Sequence, residues 1–477
     1  VSAASIAREL ARVLGDEGCV ESGAGLSRFL TDATELRGLR GSADAAALPR
    51  DADEVAAVAG WCHEHDVAMI PRGAGTGYAG GAVPDGGVVI SLERLRTLSA
   101  PDPGLWRLHT QAGVTTAEVQ RIARENGLYY PPDPGAAESS QIGGNIATNA
   151  GGPHAFRHGV TGHWVTGLEA VLATGERIEV GGPIRKDVAG YDLKSLLIGS
   201  EGTLAIVTGA WLRLIPAPAA ELPVIAWYAD PITGAGAIEI AMSCEHQPAA
   251  LEFLDREAMA IGASSFPAEA HRPEGFAVIA EAQGSSVEAA EAGRDELLEA
   301  LSESALGVHA PSTRAEVEGL WRWRDGIGLT IGAVLGGKAS DDIVVPIERL
   351  AEAVEETLAI ASRHGLRGCS WGHAGDGNLH STFLVSKTDA EGLQRAAEAS
   401  DELMRMATSL GGSISGEHGV GLVKNGHLAD QWPAPAIELH EGIKRLFDPK
   451  NLLNPGKKLA RTPSGAVPTD HGDERGR

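Results

Sequence analysis

The placement of glycine constrains this chain more than any other feature. Pro71-Arg72-Gly73-Ala74-Gly75-Thr76-Gly77-Tyr78-Ala79-Gly80-Gly81 follows an apolar run and carries five glycines in one short window. Glycine reaches backbone conformations that side chains forbid, so successive N–H groups can turn onto one point and form a nest for a pyrophosphate. The window lacks the Gly-Lys-Ser/Thr of a Walker loop, and no helical periodicity follows it as a GxGxxG motif requires. Read alone, it is equally an ordinary glycine-rich turn. Two further windows change that balance. Pro132-Asp133-Pro134-Gly135, then Ser139 to Gly152, sets glycine and small residues beside Asn145 and Asn149, which permits close backbone approach to a long, flat ligand. Gly199-Ser200-Glu201-Gly202-Thr203-Leu204-Ala205-Ile206 opens an apolar strand.

The chain of 477 residues exceeds the usual size of one hydrophobic core, so two packed units are expected. Its 62 glycines have no collagen-like period. A formal net charge of −24 argues against nucleic acid or an anionic membrane surface as partner. A small anionic substrate would need a local cationic pocket. Cys19, Cys62, Cys244 and Cys369 form no CxxC pair, so neither a disulfide framework nor an iron–sulfur ligand set is indicated. No run of about 18 apolar residues and no signal-like segment occurs, so a soluble, cytoplasmic protein without a transmembrane segment is expected.

Ser5 to Leu14 and Asp53 to His65 read as amphipathic helices, the second capped by Asp51 or Asp53. Val67 to Pro71, Val88 to Leu92, Leu105 to Thr110, Arg177 to Val180 and Ala205 to Ile215 read as short strands. Pro216 to Ala220 reads as a linker, because proline stiffens an extended chain, and the first domain is therefore taken as 1–218. Beyond it, helices over Val287 to Ser304, Glu348 to His364 and Glu391 to Leu410 alternate with strands such as Ala277 to Glu281 and Thr382 to Val385. Strands crossed by helices on one face predict an α+β layer. Residues 461–477 read as a disordered tail.

Trp371-Gly372-His373-Ala374-Gly375-Asp376-Gly377-Asn378-Leu379-His380 contains the Asp-Gly pair of a two-residue hairpin turn. With Asp376 and Gly377 at the turn, His373 faces His380 at about 5 Å between Cβ atoms, and Asn378 points to the same side. Two imidazoles could then reach one metal ion, or simply face water. Gly416-Glu417-His418-Gly419 adds a carboxylate and a further imidazole on a constrained turn. Two histidines and a carboxylate make a known open divalent site. The alternative, a capping glutamate and a surface histidine, stays open on these residues alone.

The three glycine windows, together with Lys186-Asp187-Val188-Ala189-Gly190-Tyr191-Asp192-Leu193, resemble the FAD-binding domain of the vanillyl-alcohol oxidase superfamily. The likeness is nearest to its D-lactate and D-2-hydroxyglutarate dehydrogenase branch, the FAD-linked D-2-hydroxyacid dehydrogenases, and runs from about Thr31 to Leu459. It implies an α+β fold: a two-subdomain PCMH-type FAD-binding domain, then an α+β, ferredoxin-like substrate or cap domain over 219–440. A C-terminal segment, 441–460, would return to the flavin. Carried over, the FAD contacts are Pro71, Arg72, Gly73, Ala74, Gly75, Thr76, Gly77, Pro134, Gly135, Ser140, Gly143, Gly144, Asn145, Asn149, Gly151, Gly159, Val160, Glu201, Gly202 and Ile206. Asn454 of Asn454-Pro455-Gly456-Lys457 joins them. The first loop has no histidine for covalent attachment, so dissociable FAD is expected. Tyr78 departs from the small or aliphatic residue expected at its place.

The resemblance also assigns His373, His380 and Glu417 to a divalent metal, zinc or a similar ion, and His418 to proton abstraction. Arg324 is favoured over Arg322 for the substrate carboxylate, with Lys338 as an auxiliary and Asn378 in the catalytic set. A divalent ion on the substrate oxygens would lower the hydroxyl pKa, and hydride would leave the adjacent carbon for FAD. Gly328 stands where hydroxyglutarate-oxidising relatives tend to carry a hydroxyl, which favours D-lactate or a similar small acid over D-2-hydroxyglutarate. Glycolate, and an alcohol or sugar oxidised by the same fold, are the nearest rivals. A metal-dependent hydrolase leaves the glycine windows unexplained, and a non-catalytic flavin module leaves the acid, base and arginine unexplained. With no haem or iron–sulfur motif in the chain, a separate electron acceptor is expected: a quinone, cytochrome or electron-transfer protein. Oligomeric state, a homodimer included, stays open.

Overall fold

The computed structural model describes residues 2–15, 18, 20–267 and 275–459, so Cys19 and the tail expected at 461–477 lie outside the described residues. The N-terminal half holds two small sheets. In the first, the strands run in the order Val20–Glu21, Ala45–Ala47, Val88–Ser91, Met69–Arg72, and the last three are parallel. Parallel strands need a crossover, and the helix Ala52–Glu64 supplies one. Asp51 caps that helix by accepting from the Glu54 N–H, and Val55, Val58, Ala59 and Cys62 bury one stripe of it. The first glycine window is the loop that leaves Met69–Arg72.

The second sheet is antiparallel, with order Arg107–Gln111, Ile206–Arg213, Val165–Val171, Arg177–Gly181, and it has a core of its own. The second glycine window was assigned no element from sequence; part of it forms the helix Ile142–Thr148, stopped by Asn149 in the left-handed conformation at φ 55°. Ile215–Pro216 pairs with Leu128–Tyr129, and Ala220 already begins the next sheet.

That sheet has seven antiparallel strands in the order Gly307–His309, Ala220–Tyr228, Phe276–Gly284, Ala250–Leu254, Arg367–His373, Asn378–Leu384, Lys338–Val344. Helices on one face only were expected, and the structure corrects this. Pro231–Met242, Val287–Ser302, Leu350–Arg363 and Ala390–Ser409 cover one face, while Arg256–Gly262 and Arg314–Leu335 cover the other. The reason is visible in Ala220–Tyr228. Val224, Ala226 and Tyr228 enter one core, and Ile225 and Trp227 enter the opposite one, so both faces are apolar and both must be covered.

The chain then returns to its start. Leu453 forms a parallel bridge with Met69, and the Asn454 N–H donates to the Met69 carbonyl at 2.7 Å, extending the first sheet at the base of the first glycine window. Among the described residues, no helix is long and apolar enough to cross a membrane.

Candidate active site

The hairpin that carries the histidines forms, but its register corrects the expected one. His373 pairs with Asn378, and His380 pairs with Trp371. Ala374–Asp376 make a single 3-10 turn and Gly377 follows at φ 65°, so Asp376 and Gly377 end a four-residue connection instead of forming a two-residue turn. Gly377 is required here twice over, because a Cβ would also lie 2.0 Å from the Val345 carbonyl. His373 and His380 still share a face, with ring centroids 5.3 Å apart.

Glu417 reaches both histidines. Its Oε1 lies 3.4 Å from His373 Nε2 and 3.5 Å from His380 Nε2, and the three donor atoms all lie within 4.8 Å of one another. Ligands held at about 2.1 Å around a tetrahedral ion are separated by about 3.4 Å, so the donor set and its spacing fit a divalent ion with a position left for substrate. The other nitrogen of His373 is fixed as well: Nδ1 donates to Glu252 Oε1 at 2.7 Å. A carboxylate behind a ligating histidine sets its tautomer and raises its basicity. Burial alone would lower the His373 pKa, but Glu252 and Glu417 raise it to about 10. Burial would raise that of Glu417, yet His373 brings it down to about 2.

Asp342 shapes the turn that presents Glu417 and His418. Its carboxylate accepts from the backbone N–H of Gly416, Glu417 and His418 and from the Ser415 hydroxyl. Buried Lys424 sits 3.6 Å from the same carboxylate and donates to the Asp342 carbonyl. Burial alone would raise the Asp342 pKa, but Lys424, His418 and His380 hold it far below the ordinary carboxylate range. Asn378 donates to Asp342 Oδ1 and to the Ile343 carbonyl, so its amide braces this carboxylate. Burial lowers the pKa of His418, and of His380 further still.

The two basic candidates differ in their surroundings. Arg324 is buried and ion-paired with Glu252, with Asp325 at 3.8 Å, whereas Arg322 is exposed. Lys338 is equally buried but has no carboxylate partner among the described residues. Its Nζ donates to the Gly328 carbonyl at 2.8 Å and lies 5.4 Å from the Tyr78 ring centroid and 5.3 Å from that of Trp371. Burial pushes its pKa down to about 8.

The glycine windows close on this cluster. From Gly73 to Gly77, no backbone N–H has an acceptor among the described residues, leaving five successive donors for an anion. A Cβ added to Gly77, Gly135 or Gly144 would meet nothing within 4 Å, so these backbones are open to close approach. A Cβ on Gly73 would touch Gly144 at 3.5 Å, and one on Gly151 would meet Glu417 Oε2 at 2.6 Å. The first window therefore adjoins the second, and the second adjoins the proposed metal carboxylate. Several expected contacts spend their side chains on the scaffold. Arg72 donates to the Thr31 carbonyl behind its own loop, Ser140 and Asn145 both meet the Thr116 hydroxyl, and Asn149 accepts from the Gly162 N–H. Glu201 accepts from the Val420 and Gly421 N–H groups just past His418, and Asn454 donates to the Gly81 and Glu201 carbonyls. Gly159 and Val160 follow the second window, Gly202 packs on Pro71, and buried Ile206 starts a strand. The Lys186 to Leu193 motif is not gathered in: Val188 and Tyr191 are almost wholly exposed.

Glu252 and Asp342 were not singled out from sequence, although each carried a signal. Glu252 is a lone acid in the apolar strand Ala250–Leu254, and Asp342 is the second of two adjacent acids in Lys338–Val344; an acid within a buried strand is tolerated only with a partner.

Known proteins resemble this chain in sequence and in fold. The FAD binding domain family matches residues 43–181, and the family of FAD linked oxidases, C-terminal domain, matches residues 225–458. Glycolate oxidase subunit GlcD of Bacillus subtilis is 35% identical over 464 residues, covering 96% of this chain and 97% of its own. D-lactate dehydrogenase of Archaeoglobus fulgidus is 38% identical over 419 residues, 87% of this chain and 90% of its own. D-2-hydroxyglutarate dehydrogenase of Xanthomonas citri pv. viticola is 38% identical over 431 residues, 87% and 88% respectively. The crystal structure of p-cresol methylhydroxylase with substrate bound shares the fold at TM-score 0.78 and 16% identity, covering 96% of each chain.

Proposed function

The chain belongs to the family of FAD-linked oxidases, and from that premise we propose that it oxidises a small D-2-hydroxy acid, D-lactate foremost, to the 2-oxo acid, with FAD passing the electrons to a separate acceptor. At the coarser level it is an FAD-dependent oxidoreductase of the D-lactate, D-2-hydroxyglutarate and glycolate dehydrogenase type. The observation that carries the finer reading is the cluster of His373, His380, Glu417 and His418 directly against the second glycine window at Gly151.

When bound, a divalent ion at His373, His380 and Glu417 supplies Lewis acidity to the substrate oxygens, and dissociable FAD supplies the hydride acceptor. His418 stays neutral at pH 7, because burial lowers its pKa, and accepts the hydroxyl proton at Nε2, the nitrogen 3.8 Å from Glu417 Oε1. Lys338 takes the lead in holding the substrate carboxylate and Arg324 assists, the reverse of the sequence ranking, since Glu252 already neutralises Arg324. Gly328 offers no side chain for a second carboxylate, and a Cβ there would lie 3.3 Å from Lys338 Nζ, which favours a monocarboxylic acid. The experiment is a dye-coupled screen of D-lactate, glycolate and D-2-hydroxyglutarate. D-lactate should give the highest kcat/KM. A highest value with D-2-hydroxyglutarate would overturn the monocarboxylate reading, and no turnover with any of them would overturn the proposal.

A further inference from the structure

We infer that Tyr78, carried by the first glycine loop, is the positioning residue for His418: its ring orients the imidazole that takes the substrate proton. The inference rests on the proposed role of His418 as base.

A general base is normally oriented by a hydrogen bond from its second ring nitrogen to a third group. His418 has no such bond. Among the described residues its Nδ1 is buried without a partner, and its Nε2 stands 3.8 Å from Glu417 Oε1, beyond hydrogen bonding. Its backbone is fixed, because the His418 N–H donates to Asp342 at 2.6 Å, but that bond leaves the side-chain torsions free. Glycines at 416 and 419 flank Glu417 and His418 and offer no side chain of their own to hold the ring. What holds the imidazole is aromatic contact. It stacks on His380 at 5.0 Å between centroids with 7° between planes, and on Tyr78 at 5.0 Å with 26°. His380 is proposed to be committed to the metal, so Tyr78 is the stacking partner of the base that no proposed ligand role already holds.

Tyr78 is itself held in register with that turn. The neighbouring Ala79 carbonyl accepts from the Leu422 and Val423 N–H groups at 2.8 and 3.2 Å. A Cβ on Gly421 would lie 2.0 Å from the same carbonyl, so the two backbones are in direct contact. Lys338 Nζ lies 5.4 Å from the Tyr78 ring centroid, a cation–π contact that also holds the ring. The residue that orients the proton acceptor thus sits on the loop proposed to hold the hydride acceptor. Proton and hydride must leave adjacent atoms of one substrate, and an error of about 1 Å in such geometry can cost about 10²-fold in rate.

The test compares Tyr78→Leu, Tyr78→Phe and His418→Gln in the holoenzyme, reading flavin and metal content, steady-state kinetics and the rate at which diethyl pyrocarbonate labels His418, located by mass spectrometry. Tyr78→Leu should lower kcat about tenfold or more with KM and both cofactors near wild type, and should label His418 faster. Tyr78→Phe should restore kcat and protection, because the ring and not the hydroxyl makes the stack. Added to His418→Gln, Tyr78→Leu should have no further effect. Wild-type kcat in Tyr78→Leu, a change in KM alone, or an equal loss in Tyr78→Phe would overturn the inference while leaving the base reading intact. Near-wild-type turnover in His418→Gln would instead overturn the base reading on which it rests.

Discussion

His373 donates from Nδ1 to Glu252 at 2.7 Å, while the second oxygen of the same buried carboxylate pairs with Arg324. One acid therefore fixes a proposed metal ligand and a proposed substrate cation together. Glu252→Gln should keep the fold but weaken metal binding about 10- to 100-fold, the usual effect of removing a carboxylate behind a ligating histidine. Metal titration of the purified variant checks this, and unchanged affinity would leave Glu252 with only the arginine to serve.

Lys338 and His418 predict opposite limbs of a pH profile. Burial brings the Lys338 pKa to about 8, so its charge disappears as pH rises through about 8, and kcat/KM should fall there. His418, its pKa lowered by burial, remains neutral until the pH drops below the ordinary histidine value of about 6.5, which gives the acid limb. Lys338→Arg keeps its charge throughout and should abolish the alkaline limb, at some cost in KM. An alkaline limb unchanged in that variant would assign it to a different group.

Asp342 and Lys424 make a prediction about stability. The folded-state pKa of Asp342 lies far below the ordinary 3.8, so its contribution is complete above about pH 4 and is lost only as pH falls through the depressed value. Asp342→Asn leaves Lys424 buried without its carboxylate and should cost about 3–5 kcal/mol at neutral pH. Denaturant unfolding should give the same difference at pH 8 and pH 5. A difference that shrinks towards pH 5 would contradict the assignment.

Gly144 separates flavin binding from folding. A Cβ there meets nothing within 4 Å, and glycine within a helix is worth roughly 1 kcal/mol less than a good helix former, so Gly144→Leu should fold at least as well as wild type. It should nevertheless purify without colour, because the added side chain fills the approach to the second window. A yellow Gly144→Leu protein would move the flavin elsewhere.

Much of this was legible in the sequence where the deciding physics is local. The cap at Asp51, the helix Val287–Ser302 and the strand Val88–Ser91 follow from capping and periodicity within a few residues. The hairpin register differs from the expected one because the Asp-Gly rule is local, whereas Gly377 lies against the Val345 carbonyl of a neighbouring segment. Cover on both faces follows from Ala220–Tyr228, where Val224, Ala226 and Tyr228 on one side and Ile225 and Trp227 on the other are all apolar, whereas the helix pattern alone indicates only one covered face. Glu252 stands out only as an acid among apolar neighbours and Asp342 only as one of two adjacent acids in a strand, and what they partner lies far away: Glu252 meets residues 324 and 373, and Asp342 meets 416 to 418 and 424. Tyr78 was visible as an odd residue in a glycine loop, but its contact with His418 spans the two halves of the chain and exists only in the fold.

The central claim is that a D-2-hydroxy acid reduces FAD in this protein with His418 as the base. Anaerobic rapid mixing of the purified holoenzyme with D-lactate, followed at the flavin absorbance, tests it in a single turnover. The wild type should bleach fully with one 2-oxo acid formed per flavin, and His418→Ala, with FAD and metal still bound, should bleach roughly 10²-fold more slowly or worse. A wild-type flavin that stays oxidised with D-lactate, glycolate and D-2-hydroxyglutarate alike, or a His418→Ala variant that bleaches at the wild-type rate, would contradict the account.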